Sequence, residues 1–363
     1  MKAVLAILDK AVEGNRISCE EGNLLFEKAS LAELGLAADA VCRRMHPEPY
    51  RTYVCDRNIN YTNICVSKCK FCAFFRGADS PDSYLLSEDE IHRKIAEAVE
   101  LGATQILMQG GLHPALKIEY YESLVRRIKE RFNIHLHSFS PPEIVHIARI
   151  SDISIEETIR RLKDAGLDSL PGGGAEILAD CPRALVSPNK CTADEWIKVM
   201  ETAQLLGMPT TATMMFGHIE TYANRIEHLA KIRNLQDRTG GFTAFIPWTF
   251  QPLNTALNGS GVGGHDYLRT LAISRLFLDN FINIQASWVT QGLKIGQVAL
   301  FFGANDLGGT MIEENVVAAA GVNFRVTEDE IRSAIQEAGF IPCKRDTYYR
   351  LLEKPPNILH KNA

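Results

Sequence analysis

Three cysteines stand close together in the chain and carry its clearest chemical signal. Cys65, Cys69 and Cys72 follow the spacing C-x3-C-x2-C. Thiolates are soft ligands that suit zinc or an iron–sulfur cluster. A structural zinc site normally uses four ligands from paired C-x2-C motifs or later histidines, and an electron-carrying cubane uses four cysteines. Since no fourth ligand stands at a fitting distance, the triplet favours a cubane cluster with one open iron, which is a catalytic arrangement.

The other six cysteines show no comparable spacing, and we expect them to be ordinary reduced thiols. They are Cys19, Cys42, Cys55, Cys181, Cys191 and Cys343. Three unrelated buried thiols are the alternative interpretation of the triplet, but thiols rarely cluster this densely by chance. An iron–sulfur electron carrier and a zinc-stabilised binding module also remain open, and the carrier requires a fourth cysteine ligand.

The segment with the triplet must be positioned by the elements around it, which alternate between strands and helices. Short apolar runs predict strands near 57–63, 104–109, 134–139, 167–171, 209–216, 243–250 and 282–288, with a weaker eighth near 298–304. Helical patterns fall near 88–101, 118–131, 154–165, 193–206, 221–235 and 266–280. This alternation predicts an α/β fold, a (β/α) barrel of TIM type that is complete or nearly so, with a doubly wound sheet as the alternative. In such a barrel the triplet follows the first strand, where functional loops belong.

The rest of the chain divides around this barrel. We expect a helical N-terminal segment over 1–48, the barrel over 49–310, and a helical C-terminal extension packed on the barrel over 311–363. The 363 residues are 46% hydrophobic and 23% charged, with a net charge of −5, which is the composition of a globular protein.

Composition also bounds the partners and the location. No apolar run approaches the ~20 residues of a membrane span, and no basic block exists, so we expect neither a membrane nor a nucleic-acid partner. The first residues resemble the start of a signal peptide, but Asp9 and Lys10 end the apolar run after six residues. A cytoplasmic location is therefore expected.

The triplet, with the aromatic Phe71 before its third cysteine, resembles the signature of radical S-adenosylmethionine enzymes. The resemblance implies a [4Fe-4S] cluster held by Cys65, Cys69 and Cys72, whose open iron is chelated by the methionine moiety of S-adenosylmethionine. It also implies cleavage of that molecule to a 5′-deoxyadenosyl radical. The cluster would take its electron from a donor such as flavodoxin or ferredoxin.

Other segments resemble the motifs with which this family binds S-adenosylmethionine. Gly110 and Gly111 match the glycine-rich segment that contacts the methionine amino group, and Glu176 is a candidate acceptor of hydrogen bonds from the ribose. The alternative interpretations are a plain βα turn for the glycines and an acid at a helix N-terminus for Glu176. The residues that the resemblance places at this site are Phe71, Gly110, Gly111, Glu176, Gly217, Glu220 and Ile246.

Within the superfamily, the resemblance is closest to the cyclic dehypoxanthine futalosine synthases (dehypoxanthine futalosine cyclases) of the menaquinone pathway, and it covers about 34–339. Aminofutalosine synthases and the deazaflavin (F420 precursor) synthase subunit are sister families with the same framework. The resemblance implies a small-molecule substrate, dehypoxanthine futalosine. Hydrogen abstraction at C4′ would be followed by addition of the carbon radical to the benzoate ring, with S-adenosylmethionine consumed as a co-substrate.

This chemistry requires a base for the proton that the cyclised ring loses and a cavity that holds the substrate. A base needs a pKa near neutral or a well-positioned carboxylate, and a benzoate carboxylate needs a cation. The candidates are His218, Asp306 and Glu314 for the base, Arg76 for the carboxylate, and Tyr61 and Trp288 for the cavity wall. Their alternatives are a structural histidine, a turn-forming aspartate, a surface arginine and core aromatic residues.

Overall fold

The computed structural model describes residues 2–257, 259–322 and 324–353, and a ring of parallel strands lies at its centre. The first member of the ring is one length of chain that bends at Cys55. The strands of the ring are β1 (Tyr50–Val54) with β2 (Asp56–Ile59), β3 (Gln105–Met108), β4 (His135–Ser138), a short extended stretch at Ser169 and Leu170, β5 (Thr210–Phe216), β6 (Phe242–Thr249), β7 (Asn283–Ile284) and β8 (Asp306–Gly309).

Parallel pairing runs around the whole ring and closes it. β2 pairs with β3 and β3 with β4, and isolated bridges at Ser169 and Leu170 carry the pairing on to β5. β5 pairs with β6 and β6 with β7, Gln285 bridges to Asp306, and β8 pairs with β1. The predicted barrel of TIM type is confirmed and has eight members, and the alternative of a doubly wound sheet is wrong.

Helices surround the ring and precede it. They are α1 (Lys2–Val12), α2 (Cys19–Lys28), α3 (Leu31–Met45), α4 (Glu88–Glu100), α5 (Ile118–Arg131), α6 (Pro141–Ser151), α7 (Ile155–Ala165), α8 (Asp180–Val186), α9 (Ala193–Leu205), α10 (Tyr222–Thr239), α11 (Gly264–Phe277), α12 (Trp288–Gln291), α13 (Leu293–Ala299), α14 (Val316–Ala319) and α15 (Glu328–Glu337). The six helices predicted between strands are confirmed as α4, α5, α7, α9, α10 and α11. No helix in the described ranges is long and apolar enough to cross a membrane.

Local sequence explains why these helices form where they do. Before α4, the Ser87 hydroxyl accepts the Glu90 N–H and the Glu90 carboxylate accepts the Ser87 N–H, so two otherwise unpaired donors are satisfied. α5 then buries Leu124, Val125 and Ile128 at helical spacing. Such one-sided burial fixes each helix against the ring and leaves the loops at the strand ends to form a site.

The weak eighth strand predicted near 298–304 is wrong. That stretch ends α13 and forms a turn, and the eighth strand is β8 instead. The sequence of β8, Asp-Leu-Gly-Gly, has few of the β-branched and aromatic residues that favour strands. Its position in the ring is set by pairing with β1 and not by its own preference.

The C-terminal part of the chain is not only helical, because it ends the described ranges with a strand that closes the barrel floor. β9 (Ile341–Lys344) pairs in parallel with β1, in register from Tyr50 with Ile341 onward. Since β1 starts the first member of the ring, β9 lies at the N-terminal end of the barrel. The chain then turns inward, and Arg345, Thr347 and Tyr349 line the lumen.

Candidate active site

The three cysteines of the triplet line one cavity of about 200 Å³. The cavity lies at the C-terminal mouth of the barrel, since the triplet directly follows β2. Cys69 is buried, whereas Cys65 and Cys72 are partly exposed. The Cys72 N–H donates to the Cys69 carbonyl at 3.1 Å, so these two residues share one turn. Burial raises the pKa of the Cys69 thiol and of the Cys72 thiol.

Arg76 fastens the far end of the cysteine segment. Its Nη1 donates to the carbonyls of Ala73, Phe74 and Phe75, at 3.0, 3.3 and 2.9 Å, and its Nε pairs with Asp82. A guanidinium can satisfy several carbonyls at once, which suits a segment without regular backbone pairing. Arg76 lines neither this cavity nor the barrel lumen, so the structure does not bring it to a substrate carboxylate.

Gly110 and Gly111 form another wall of the same cavity, at the end of β3. A Cβ on Gly111 would lie 2.2 Å from the Ile64 carbonyl oxygen, and a Cβ on Gly110 would lie 2.5 Å from the Tyr61 ring. The Gly111 N–H donates to the Thr62 carbonyl at 2.9 Å. Only glycine permits such close approach, so this segment lies directly against the cysteine segment.

Glu143, which was not predicted from the sequence, lies behind the glycines and lines the cavity. Its Oε1 accepts the Gly110 N–H at 3.0 Å and the Tyr61 hydroxyl at 2.8 Å. Its Oε2 accepts the Ser140 N–H at 2.8 Å and the Ser140 hydroxyl at 2.6 Å. Burial raises the pKa of Glu143. The spacing Ser140-x-x-Glu143 before α6 is a capping signal that could have found this residue. Tyr61 thus supports Gly110 from outside both cavities.

Glu176 and Phe71 share a third wall, and a lysine joins them. The Glu176 carboxylate lies 3.0 Å from Nζ of Lys190 and 3.4 Å from Nη1 of Arg183. Nζ of Lys190 also lies 4.9 Å from the centre of the Phe71 ring. Although burial lowers the pKa of Lys190, Cys69 and Glu176 raise it on balance. No sequence pattern indicated Lys190.

A second cavity, of about 240 Å³, fills the barrel lumen and adjoins the first. The residues that line both cavities are Gln109, Gly173, Trp248 and Val316. Ile246 and Trp288 line the lumen, and the indole N–H of Trp288 donates to the Gly309 carbonyl at 3.0 Å. The site therefore has two connected parts, one beside the thiols and one inside the barrel.

Glu314 brings a carboxylate into the lumen. It accepts the N–H groups of Val316, Val317 and Ala318, at 3.0, 2.8 and 3.2 Å. Burial raises its pKa in spite of these donors. Asn58 places its Nδ2 3.5 Å from Glu314, and its buried Oδ1 has no hydrogen-bond partner among the described residues. Glu314 and Asn58 are thus two polar groups of the lumen with capacity for a ligand.

Asp306 does not reach either cavity. Its carboxylate is paired with Arg345, whose Nε and Nη2 lie 2.5 and 2.9 Å from the two oxygens. The Thr52 hydroxyl donates to it at 2.6 Å and the Gly308 N–H at 2.8 Å. A fully buried carboxylate with this many donors is a structural group, so the structure offers Asp306 no route to a substrate proton.

The motif after β5 folds back on itself and lies outside both cavities. Glu220 accepts the N–H groups of Gly217 and His218, at 2.7 and 3.0 Å, and lies 2.8 Å from Nη2 of Arg225. Nδ1 of His218 accepts the Ile219 N–H at 2.7 Å. Burial lowers the pKa of His218, so its ring is neutral near pH 7. Gly217, His218 and Glu220 therefore lie outside both cavities, although the Met215 N–H just before them donates to the Glu176 carbonyl at 3.0 Å.

The closed barrel, with three thiols on the loop after its first strand, has the architecture of the radical S-adenosylmethionine (radical SAM) enzymes. A family model described as the radical SAM superfamily matches residues 59–232, and one described as the CofH/MqnC C-terminal region matches residues 239–358. The chain belongs to the CofH/MqnC family of radical SAM enzymes. Membership implies a [4Fe-4S] cluster and S-adenosylmethionine.

Relatives with curated names carry two different activities. The chain is 48% identical to a cyclic dehypoxanthine futalosine synthase of Halalkalibacterium halodurans, over 95% of this chain and 94% of the relative. It is 49% identical to one of Streptomyces coelicolor, over 95% and 88%. It is also 44% identical to a 5-amino-6-(D-ribitylamino)uracil–L-tyrosine 4-hydroxyphenyl transferase of Methanothermobacter thermautotrophicus, over 96% and 97%.

Solved structures with the same fold are more distant in sequence. Methylornithine synthase (PylB) superposes with a TM-score of 0.71 at 18% identity, over 93% of this chain and 97% of that one. The [FeFe]-hydrogenase maturase HydG superposes with a TM-score of 0.73 at 17% identity, over 96% and 77%. At these identities the likeness supports the barrel fold alone.

The donor set of the cavity at the mouth suits an iron–sulfur cluster, because it contains three thiols. In the ranges that the structure describes, no three His, Cys, Asp or Glu side chains converge closely enough to hold one ion. The three thiols line one cavity whose described lining has no further cysteine and no histidine. Three thiolate ligands would leave one iron of a cubane without a protein ligand.

Proposed function

We propose that the protein converts dehypoxanthine futalosine to cyclic dehypoxanthine futalosine, a step of menaquinone biosynthesis that forms a carbon–carbon bond. The proposal rests on identities of 48% and 49% to enzymes of that name, over 94% and 88% of their lengths. The connected cavities support it, because a radical made beside the thiols needs a dry adjoining space for its substrate. The aromatic walls at Trp248 and Trp288 suit a benzoate ring.

In this proposal Cys65, Cys69 and Cys72 hold the [4Fe-4S] cluster, and the walls of the same cavity bind S-adenosylmethionine. The Gly110–Gly111 backbone and the Glu143 carboxylate face the methionine part, whose ammonium group needs acceptors. The cations Lys190 and Arg183 keep Glu176 in place on another wall of this cavity.

Replacing Gly111 with alanine should weaken S-adenosylmethionine binding. The new methyl group would meet the Ile64 backbone at 2.2 Å, and backbone cannot rotate away as a side chain can. We expect the dissociation constant, measured by equilibrium dialysis on reconstituted enzyme, to rise about tenfold, which corresponds to about 1.4 kcal/mol. Gly77→Ala is the control, since its methyl group meets nothing within 4 Å. Equal dissociation constants for both variants would contradict the placement of the glycines.

The chain's own residues then enclose the substrate and handle its proton. When bound, the cluster and S-adenosylmethionine supply a carbon-centred radical that takes a hydrogen atom. The substrate would lose that hydrogen atom from C4′, and the C4′ radical would bond to a ring carbon. The ring would become aromatic again by giving one proton to a base and one electron to the oxidised cluster, the one-electron acceptor at hand. Gln109 and Trp248, which line both cavities, would hold C4′ at the junction. Two carboxylates line the lumen, Asp56 and Glu314, and we assign the acceptance of the proton to Glu314.

The variant Glu314→Gln should cyclise slowly while still forming 5′-deoxyadenosine. Loss of a general base typically lowers the rate of the catalysed step by a factor of about 10²–10⁴. The amide of the glutamine in this variant cannot accept the proton. Because burial raises the pKa of Glu314, wild-type cyclisation should fall as the pH drops through that raised value, and the variant should lack this limb. His218→Gln should keep the limb, since His218 lies outside the lumen. A pH–rate profile of product formation tests both, and an unchanged limb in Glu314→Gln would exclude this base.

Anaerobic incubation with dithionite, S-adenosylmethionine and dehypoxanthine futalosine tests the whole proposal. We expect 5′-deoxyadenosine and a product lighter than the substrate by two hydrogens. Mass spectrometry measures both, and the absence of both under conditions where the cluster is reduced would refute the assignment. Enzyme without S-adenosylmethionine is the blank.

The second candidate is the 4-hydroxyphenyl transfer named for the archaeal relatives. It is favoured by the 44% identity over 97% of the Methanothermobacter relative. The same anaerobic assay with L-tyrosine and 5-amino-6-(D-ribitylamino)uracil decides between the two. Conversion of this pair, without conversion of dehypoxanthine futalosine, would establish the second candidate.

A further inference from the structure

One wall of the barrel lumen, formed by β2 and β3, presents polar side chains at regular spacing. The residues on or directly after these strands that line the lumen are Asp56, Asn58, Gln105, Leu107 and Gln109. Residues two apart on a strand point to the same face, so these side chains form one inward-facing surface. The pairing of Asn58 with Leu107 places Asn58 between Gln105, near the floor, and Gln109, at the mouth. We name Asp56, Asn58, Gln105 and Gln109 the polar wall.

Asn58 holds a hydrogen-bond acceptor that its described neighbours do not use. The residue is only 5% exposed, and its Oδ1 has no hydrogen-bond partner among the described residues. Its Nδ2 lies 3.5 Å from Oε1 of Glu314. A buried carbonyl oxygen without a partner is unfavourable, so a ligand group that donates a hydrogen bond to it would stabilise this wall.

The floor end of the polar wall is already occupied by hydrogen bonds within the protein. Oε1 of Gln105 accepts the Thr347 hydroxyl at 2.6 Å, and Nε2 of Gln105 donates to Oδ2 of Asp56 at 3.2 Å. Oδ1 of Asp56 accepts the Met311 N–H at 3.1 Å. The acceptor of Asn58 lies nearer the mouth than these bonds, and it is open to a ligand in the lumen.

Among the described residues that line it, the lumen offers no free cation to a carboxylate. These residues include two acids, Asp56 and Glu314, and one arginine, Arg345. Arg345 is already paired with Asp306 through Nε and Nη2. Burial lowers the pKa of His137 to about 3, so its ring is neutral near pH 7. A ligand carboxylate therefore has no partner along this wall.

The proposed substrate carries two kinds of polar group, which are sugar hydroxyls and a benzoate carboxylate. Because the lumen has no free cation for the carboxylate, a sugar hydroxyl is the donor that fits Oδ1 of Asn58. Cyclisation joins C4′ to the benzoate ring, so the sugar and the ring must face each other in the lumen. β6, which carries Trp248, is four members away from β3 in the ring of eight and lies opposite it. The polar wall thus suits the sugar, and the side of Trp248 suits the ring.

We propose that Asn58 makes the lumen specific for a sugar, with its Oδ1 accepting the hydroxyl on the carbon next to C4′. That hydroxyl is the 3′-hydroxyl of dehypoxanthine futalosine, so the inference rests on the substrate of the proposed function. Gln109, at the mouth end of the polar wall, borders the junction where C4′ would lie. Asn58 is the next position of the polar wall below Gln109, on the neighbouring strand. A sugar with C4′ at the junction therefore presents its adjoining hydroxyl to Asn58.

A thermodynamic cycle that combines Asn58→Leu with the 3′-deoxy analogue of dehypoxanthine futalosine tests this contact. Titration calorimetry on reconstituted enzyme, with an oxidised cluster and bound S-adenosylmethionine, measures dissociation constants without turnover. In the wild type, loss of the 3′-hydroxyl should raise the dissociation constant about tenfold, because the buried acceptor loses its donor. Asn58→Leu should bind the full substrate about tenfold more weakly than the wild type does, and it should bind both compounds equally.

Gln285→Leu is the matched control, because it also replaces a lumen amide with leucine, just after β7. This control should keep the difference of about tenfold between the two compounds. A purely structural role of Asn58 would weaken both compounds by the same factor, so an unchanged difference in Asn58→Leu would overturn the proposal. Equal affinities of the wild type for the two compounds would overturn it as well. If Asn58→Leu does not fold, the smaller variant Asn58→Ser takes its place, since its short side chain withdraws the acceptor from the lumen.

Failure of the substrate assignment gives a different result. An enzyme that does not bind dehypoxanthine futalosine contradicts the proposed function, and the cycle is then run with 5-amino-6-(D-ribitylamino)uracil and its analogue with a plain pentyl chain. A ribityl chain also carries neighbouring hydroxyls, so a penalty for their loss that disappears in Asn58→Leu would support the sugar site alone. No such coupling, in an enzyme that still forms the cyclised product, would overturn the sugar site and leave the proposed function standing.

Discussion

Cys65→Ala is expected to prevent assembly of the cluster and to abolish formation of 5′-deoxyadenosine. The described lining of the cavity has no further cysteine and no histidine that could replace the lost thiolate. After anaerobic reconstitution, iron content and the visible absorbance of the cluster should both collapse, and 5′-deoxyadenosine should fall below detection. The loss should be complete, because two thiolates cannot secure a cubane that already lacks a fourth protein ligand.

The control for this variant is Cys181→Ala. Cys181 is exposed on α8 and lines neither cavity. The Cys181→Ala variant should therefore match the wild type in iron content and in the amount of 5′-deoxyadenosine formed. Sustained 5′-deoxyadenosine from Cys65→Ala would contradict the ligand assignment. Addition of S-adenosylmethionine should also change the electron paramagnetic resonance spectrum of the reduced wild-type cluster, whereas an electron carrier with four cysteine ligands would show no change.

Arg345→Met should lower the free energy of unfolding by about 3–5 kcal/mol, the usual cost of breaking a buried ion pair from one side. The Arg345 side chain is only 4% exposed, and Asp306 is fully buried beside it. Methionine would leave that carboxylate without its cation. Arg345 also covers the Tyr349 ring, with Cζ 3.9 Å from its centre, so packing is lost together with charge.

Denaturation in urea measures this effect, and Arg350→Met supplies the comparison. Arg350 pairs with Asp346 at 2.6 Å, but its side chain is 72% exposed, and such pairs contribute about 0–1 kcal/mol. We therefore expect a much smaller change from Arg350→Met. Similar losses in the two variants would show that the Arg345–Asp306 pair does not hold the barrel floor.

Local signals in the sequence predicted those parts of the site that are local in the chain. The three thiols fall within eight residues and the two glycines are adjacent, so their spacing alone indicates a shared purpose. The starts of the helices were also predictable from the sequence, because a capping pattern such as Ser87-x-x-Glu90 satisfies backbone N–H donors within one turn. The regular alternation of these elements predicted the barrel fold, but it placed the eighth strand near 298–304, whereas that strand is β8 (Asp306–Gly309).

Partners that are distant in the chain could not be read from the sequence. Asp306 and Glu314 are both acids after the predicted barrel strands, but Arg345, 39 residues away, engages Asp306, while Glu314 stays in the lumen. His218 lies in a recognisable motif, yet its backbone N–H donates to Glu220 within the same motif. Packing between helices and strands determines which acid pairs with a cation and which lines a cavity. The spacing of residues along the sequence does not encode that packing.

The position of β1 between β8 and β9 determines how late β1 can pair during translation. β1 emerges from the ribosome early, but its two neighbours are translated only about 250–290 residues later. At the usual ~5–20 residues per second, both edges of β1 wait on the order of tens of seconds for their partners. Unpaired strand edges invite wrong pairing with other strands during this interval. The lumen has no floor until residues 345–349 are made, so no shorter nascent chain can enclose a substrate.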